Sequence, residues 1–250
     1  MTLKRGYQLH LSRGDFVLKD VEGRTQKFRK IISVLQDFHP GTKSFNCLDI
    51  GSSSGIITSL LGSHFRLAIG IDIDQEAIQY AKSNFSSPSV QFLIGDSMVL
   101  PFRDDSMDVI VCNHVYEHVP LAGQLMDEVY RVLKANGFCY FSAGNKYTVI
   151  EGHYGLPFLS WVPKPLAHLY LRITGKGSFY YEEHLPLKGL KKLVNRFQIY
   201  DYTLPIIRNP EKFFANDLFN PKSFLSKCIC LLAPYLYRFI PTYIWVLAKK

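Results

Sequence analysis

Long apolar runs, paired cysteines and phosphate-type glycine motifs are all scarce in this chain of 250 residues, and each shortage removes a class of protein. No apolar run follows the basic residues near the start, so a signal peptide is not expected. The most hydrophobic stretch, 224–248, is broken by Lys227, Pro234, Arg238 and Pro241. The runs that remain are about half of the roughly 20 residues a membrane span needs, so no transmembrane helix is expected. None of the five cysteines has zinc-type spacing, and no metal site is expected. Cys47, Cys112 and Cys139 lie in strand-like apolar runs and read as small buried hydrophobes. Cys228 and Cys230, one residue apart on a helix-like stretch, are badly placed for a mutual disulfide. The compartment expected is a reducing cytoplasm, with peripheral membrane contact left open. Neither Gly-x-Gly-x-x-Gly nor Gly-Lys-Ser/Thr occurs where a phosphate-binding loop would need it.

What the chain does have is an apolar strand, Phe45 to Ile50, that carries Asp49 near its end and runs into the small-residue turn Gly51-Ser52-Ser53-Ser54-Gly55. With no large side chain between the two glycines, a ligand can approach the backbone closely, and a helix starting at Ile56 would point its free N–H groups at it. A second strand, Leu67 to Ile71, ends in Asp72, about 20 residues beyond the first glycine, where a carboxylate accepts hydrogen bonds from ribose hydroxyls. Any one of Asp49, Asp72 and Asp96 alone would be explained equally well as a helix cap or turn residue. Three of them at successive strand ends point to a nucleoside cofactor without phosphate.

Four ordered segments carry a resemblance to the class I S-adenosylmethionine-dependent methyltransferases, over roughly Phe45 to Ala143. They are Asp49-Ile50-Gly51-Ser52-Ser53-Ser54-Gly55, with Ser53 in place of the family's middle glycine; Gly70-Ile71-Asp72-Ile73-Asp74; Gly95-Asp96-Ser97; and Asp108 to Val119, which contains Asn113-His114-Val115-Tyr116-Glu117-His118. The resemblance implies S-adenosylmethionine as cofactor, held around Asp49, Gly51, Ser52, Ser53, Gly55, Asp72, Ile73, Asp96, Ser97, Asn113 and His114. By the same analogy Asp49 lies near the methionine amino group, Asp72 on the ribose and Asp96 on the adenine.

Alternating strands and helices predict an α/β fold: a Rossmann-like, seven-stranded, mostly parallel sheet with helices on both faces, an antiparallel last strand and a cap insertion on the substrate side. Helices are expected at 17–38, where the helix would pack across the cofactor mouth, and at 56–61, 75–84 with Asp74 as cap, 121–133 and 187–195. Strands are expected at 45–50, 67–71, 90–94, 108–113, 137–143, 198–204 and 243–247. The corresponding organisation is a helical lead-in at 1–44, a cofactor-binding core at 45–144, an inserted cap at 145–185, and a continuation of the same α/β domain with aromatic, basic additions at 186–250.

Charge separates the two parts of the chain. Residues 1–150 hold 15 basic and 15 acidic side chains, so the net +8 lies in the last hundred, which also hold 19 of the 35 aromatics. This composition suits an anionic small-molecule or lipid-linked acceptor or an anionic membrane surface, and no RNA-binding module accompanies it. A solvated basic face over an aromatic core is an equal alternative. The segment 155–172 mixes Trp161, Phe158 and leucines with Lys164 and Arg172. It reads either as a lid packed on the domain or as an interfacial segment.

Methyl transfer requires alignment and water exclusion, with a base only where the acceptor must lose a proton. His118, His153 and His184 are the candidates for that role. The reading is a methyltransferase acting on a small-molecule or lipid-linked acceptor, with oxygen as the favoured nucleophile. A non-catalytic scaffold on the same fold and an NAD(P)-dependent reductase are the rivals. Acceptor identity and oligomeric state stay open.

Overall fold

The computed structural model describes residues 20–216 and 230–250. The start of the expected leading helix, and Cys228, lie outside them. Among the described residues the strands are β1 (Asn46–Ile50), β2 (Leu67–Asp72), β3 (Val90–Ile94), β4 (Met107–Asn113), β5 (Leu133–Gly144), β6 (Phe197–Asp201) and β7 (Thr242–Lys249). The helices are α1 (Val21–Phe38), α2 (Ile56–Leu61), α3 (Gln75–Phe85), α4 (Ala122–Val132), α5 (Lys164–Ile173), α6 (Leu187–Leu193) and α7 (Thr203–Arg208).

The strands form one seven-stranded sheet in the order β3-β2-β1-β4-β5-β7-β6. Neighbours from β3 through β5 are parallel, and β7 runs antiparallel to both β5 and β6. The central strands are buried on both faces, which explains why Cys47-Leu48 and Val109-Ile110-Val111-Cys112 read as continuous apolar runs rather than alternating ones. One face is covered by Leu125, Met126 and Val129 of α4 and Leu190 of α6. The other is covered by α1, α2 and Ile206 of α7. Cys47, Cys112 and Cys139 are buried free thiols inside the sheet.

Three expectations need correction. Helix α1 starts at Val21, because Asp20 Oδ1 accepts the Gly23 N–H at 2.9 Å and caps the helix there. It packs Phe28, Ile31, Val34 and Leu35 onto the sheet face instead of lying across the cavity mouth; only Arg24 and Lys27 reach that cavity. Strand β5 begins directly after α4, at Leu133 rather than Gly137, where Leu133 pairs with Met107 before an irregularity in the ladder. Strand β6 stops at Asp201 rather than Leu204, since Asp201 Oδ1 accepts the Thr203 N–H at 2.8 Å and α7 starts there.

Residues 145–185 leave the sheet after β5 and fold over its edge. The segment is anchored by Asn145, whose side-chain amide donates to the carbonyls of Arg238 and Ile240, both at 2.9 Å. Inside it a 3₁₀ turn (Leu159–Trp161) and α5 enclose a small core of Leu156, Leu159, Ala167, Leu171 and Tyr180.

Candidate functional site

Strand order reverses between β1 and β4, the position where open α/β sheets bind ligands at the carboxyl ends of their strands. A cavity of about 320 Å³ lies there. Gly51 and Ser53 form its floor from the loop 51–55, in which Gly51, Ser53 and Gly55 have φ of 72°, 49° and 78°. The alternating left-handed residues explain the small-residue pattern, and Ser53 shows that a side chain is accepted at the middle position at a cost of about 1–2 kcal/mol. That cost is offset locally by the Ser53 N–H, which donates to Asp72 Oδ2 at 2.8 Å. A Cβ on Gly55 would lie 2.6 Å from Ala81 Cβ and 2.7 Å from the Phe92 ring, so this glycine serves close helix–sheet packing.

Asp72 is held from both sides, its other oxygen accepting the Asp74 N–H at 2.9 Å. Burial pushes its carboxyl up, against the pull of these backbone donors. Asp72, Ile73, Gly51 and Ser53 face the cavity from one side. Asp96 and Ser97 face it from the turn after β3, where Asp96 Oδ1 also accepts the Met98 N–H at 2.8 Å. Asn113 and His114 close it at the end of β4, with His114 at φ 56°.

Asp49, Ser52 and Gly55 do not line the cavity. Asp49 is buried beneath the loop and accepts the Thr58 hydroxyl at 2.6 Å; burial pushes its carboxyl up to about 7. Ser52 is buried against Gly70. Two cationic side chains that the sequence reading did not single out, Arg24 and Lys27, reach the cavity from the first turns of α1. Burial and the neighbouring Arg24 lower the Lys27 pKa. Their spacing puts them on one helix face, yet nothing local says which face meets a pocket.

Where the cavity meets 145–185, four histidines and three buried glutamates gather. Glu117 is buried and bonded to His114 Nδ1 at 3.0 Å; burial works against its ionisation, but the adjacent imidazoles outweigh this and hold it at about 2. Glu151 takes four donors: the N–H groups of His153 and Tyr154, each at 2.9 Å, His153 Nδ1 at 2.8 Å and His184 Nε2 at 3.2 Å. Burial pushes the His118 imidazole down to about 4, while for His153 the Glu151 bond outweighs burial and raises it. His118 and His153 line the cavity and pack edge to face with ring centroids 4.9 Å apart. His184 does not line it and sits behind, on Glu151. Glu151 and Glu182 carried no signal in the sequence, because they lie in irregular segments far from the motif they meet.

Residues 48–141 match the family described as "Methyltransferase domain". The chain carries a class I S-adenosylmethionine-dependent methyltransferase domain. An uncharacterized methyltransferase of Mycobacterium tuberculosis is 33% identical over 108 residues, covering 43% of this chain and 41% of the relative. A probable S-adenosylmethionine-dependent methyltransferase of the same species is 27% identical over 139 residues, covering 56% and 50%. This chain thus spans about half or less of the length of these curated relatives. Among solved structures, a Pyrococcus horikoshii protein superposes with a TM-score of 0.61 over 98% of this chain and all of its own, at 18% identity. A Mesorhizobium loti S-adenosylmethionine-dependent methyltransferase gives 0.58 at 15% identity, covering 88% of this chain and 98% of its own. These two show the fold of the methyltransferase domain. Its matched segment contains the floor and rear wall of the cavity, whereas Arg24, Lys27 and residues 145–185 lie outside it.

Proposed function

We propose that the protein transfers the methyl group of S-adenosylmethionine to the oxygen of a small-molecule or lipid-linked acceptor that enters between the domain and residues 145–185. The observation that carries this reading is the opposition of charges in one cavity: Asp72 and Asp96 on the strand ends, Arg24 and Lys27 on α1. A zwitterionic nucleoside without phosphate needs both. Asp72 accepts from the ribose hydroxyls, Asp96 and Ser97 meet the adenine, and Arg24 and Lys27 meet the methionine carboxylate. Backbone at Gly51 and Ser53 permits close approach, while Ile73, Asn113 and His114 enclose the ligand. Asp49, Ser52 and Gly55 hold the loop, with the buried Asp49 carboxylate supplying negative potential beneath the cationic end.

The bound cofactor supplies an already activated methyl group. The protein aligns the acceptor and excludes water. A hydroxyl acceptor would have to give up its proton as it is methylated, and a base beside it would take that proton. Of the three histidines on the cavity, His114 is bonded to Glu117, which leaves His118 and His153 to meet that hydroxyl.

An acceptor with a lipid anchor is favoured by the surface of 145–185. Leu166, Leu169 and Ile173 form one stripe of α5 and are 56%, 48% and 75% exposed, with Phe158, Phe179 and Tyr181 exposed nearby. The stripe lies in the basic part of the chain, so it suits an anionic bilayer. No described helix is long and apolar enough to cross a membrane.

Calorimetric titration with S-adenosylmethionine and S-adenosylhomocysteine tests the reading, with NADH and NADPH as controls. One-to-one binding of the sulfur nucleosides alone is the expected result. Binding of a dinucleotide instead would favour a reductase, and no binding by folded protein would leave a scaffold.

A further inference from the structure

We propose that His118, His153 and Glu182 form a binding site for one divalent first-row transition-metal ion at the acceptor side of the cavity. Ligand atoms of the three lie within 4.8 Å of one another. His118 comes from the loop after β4, His153 from the turn at 151–156 and Glu182 from the segment before α6, so the cluster exists only in the folded chain. His118 Nδ1 and Glu182 Oε1 are 3.9 Å apart. Ligands bound to one ion at about 2.0–2.2 Å stand roughly 3–3.5 Å apart, so less than about 1 Å of closure completes the pair.

Two features separate this set from an ordinary hydrogen-bonded cluster. Glu182 is 4% exposed, and its Oε2 has no hydrogen-bond partner within ordinary range although the Tyr154 hydroxyl interacts with the same carboxylate, an arrangement that costs stability unless something cationic meets it. Beside it, Glu151 is already saturated by its four donors and so stands behind the site. With Nδ1 held on Glu151, His153 presents Nε2 as its remaining ring nitrogen. A carboxylate behind a ligating imidazole is the recurring outer support of metal-bound histidines, fixing tautomer and ring orientation. The second cluster, Glu151, His153 and His184, is internally bonded at 2.8 and 3.2 Å and supplies that support rather than a second ion site.

Two imidazoles and one carboxylate select zinc, iron, manganese or nickel over magnesium and calcium. Three protein ligands leave coordination positions open, as catalytic metal sites do. Since His118 and His153 line the cavity, an acceptor oxygen would complete the coordination, and the ion would take over from a free imidazole the task of favouring its deprotonation. That acceptor role rests on the methyl-transfer reading; ion binding does not.

The test is titration of chelator-treated full-length protein with Zn²⁺ by calorimetry, with Co²⁺ absorption reporting coordination, each with and without S-adenosylhomocysteine. One Zn²⁺ per chain is expected, with affinity reduced more than tenfold in His118→Asn and in Glu182→Gln and less in Glu151→Gln, each variant checked for folding by circular dichroism. No Zn²⁺ binding by folded protein, or the same affinity in His118→Asn and Glu182→Gln as in the parent, overturns the site. Zn²⁺ binding without adenosylhomocysteine binding would refute the cofactor reading and keep the ion site; the reverse would remove only the ion site.

Discussion

Replacing Asp49 by Asn tests whether the loop rests on a carboxylate held there at a cost in stability. The carboxyl lies at about 7 in the folded protein against an ordinary 3.8. An acidic group raised on folding binds more protons in the native than in the unfolded state between these values, so its contribution falls as pH rises from about 4 to 7. The separation amounts to up to about 4 kcal/mol against a neutral isostere at pH 8, and under about 2 kcal/mol at pH 5. Asn keeps an oxygen for the Thr58 hydroxyl and removes the buried charge. Thermal melts of ligand-free protein should therefore show Asp49→Asn more stable than the parent at pH 8, by about 2–4 °C for each kcal/mol, with the gap at least halved at pH 5. Titrating groups that do not interact with Asp49, including the histidine cluster, are common to both proteins and cancel in the difference. S-adenosylmethionine affinity should move the opposite way and fall about tenfold at pH 8, equivalent to about 1.4 kcal/mol. A variant no more stable than the parent at pH 8, or a gap that does not change with pH, would refute the reasoning.

Asp72→Ala removes the acceptor for the Ser53 and Asp74 N–H groups as well as the proposed ribose contacts, so calorimetry should show at least a tenfold loss of cofactor affinity, equivalent to about 1.5–3 kcal/mol. Unchanged affinity in a folded variant would dismiss the assignment. Gly55→Ala puts a methyl against Ala81 and Phe92 at a backbone φ of 78°, and denaturant unfolding should register a loss of about 1–3 kcal/mol. Tyr116→Phe deprives the Gly144 carbonyl of its donor and the Leu185 N–H of its acceptor, bonds of 2.5 and 3.0 Å that tie 145–185 to the sheet; about 1–3 kcal/mol should be lost in the same assay. Replacing Leu166 and Ile173 together by Ser should reduce flotation with anionic vesicles while cofactor affinity stays constant, and equal flotation would remove the membrane-surface reading.

The sequence by itself determined what depends on neighbours within a few residues. The strand ends at Asp49, Asp72 and Asn113, the small-residue turn after β1 and the Asp74 cap were legible because local backbone geometry restricts which residues fit, and the parallel core followed from the alternation of elements. Boundaries failed where a side-chain cap decided them, as at Asp20 and Asp201, since any nearby Asp competes for that task. Tertiary structure alone decided which polar groups share a space. It put Asp49 beneath the loop, turned Arg24 and Lys27 toward the cavity, and brought Glu151, His153, Glu182 and His184 from an irregular segment to Glu117 and His118. The last of these contacts follow from how 145–185 closes over the sheet edge, and no periodicity of the chain encodes the closure of a loop.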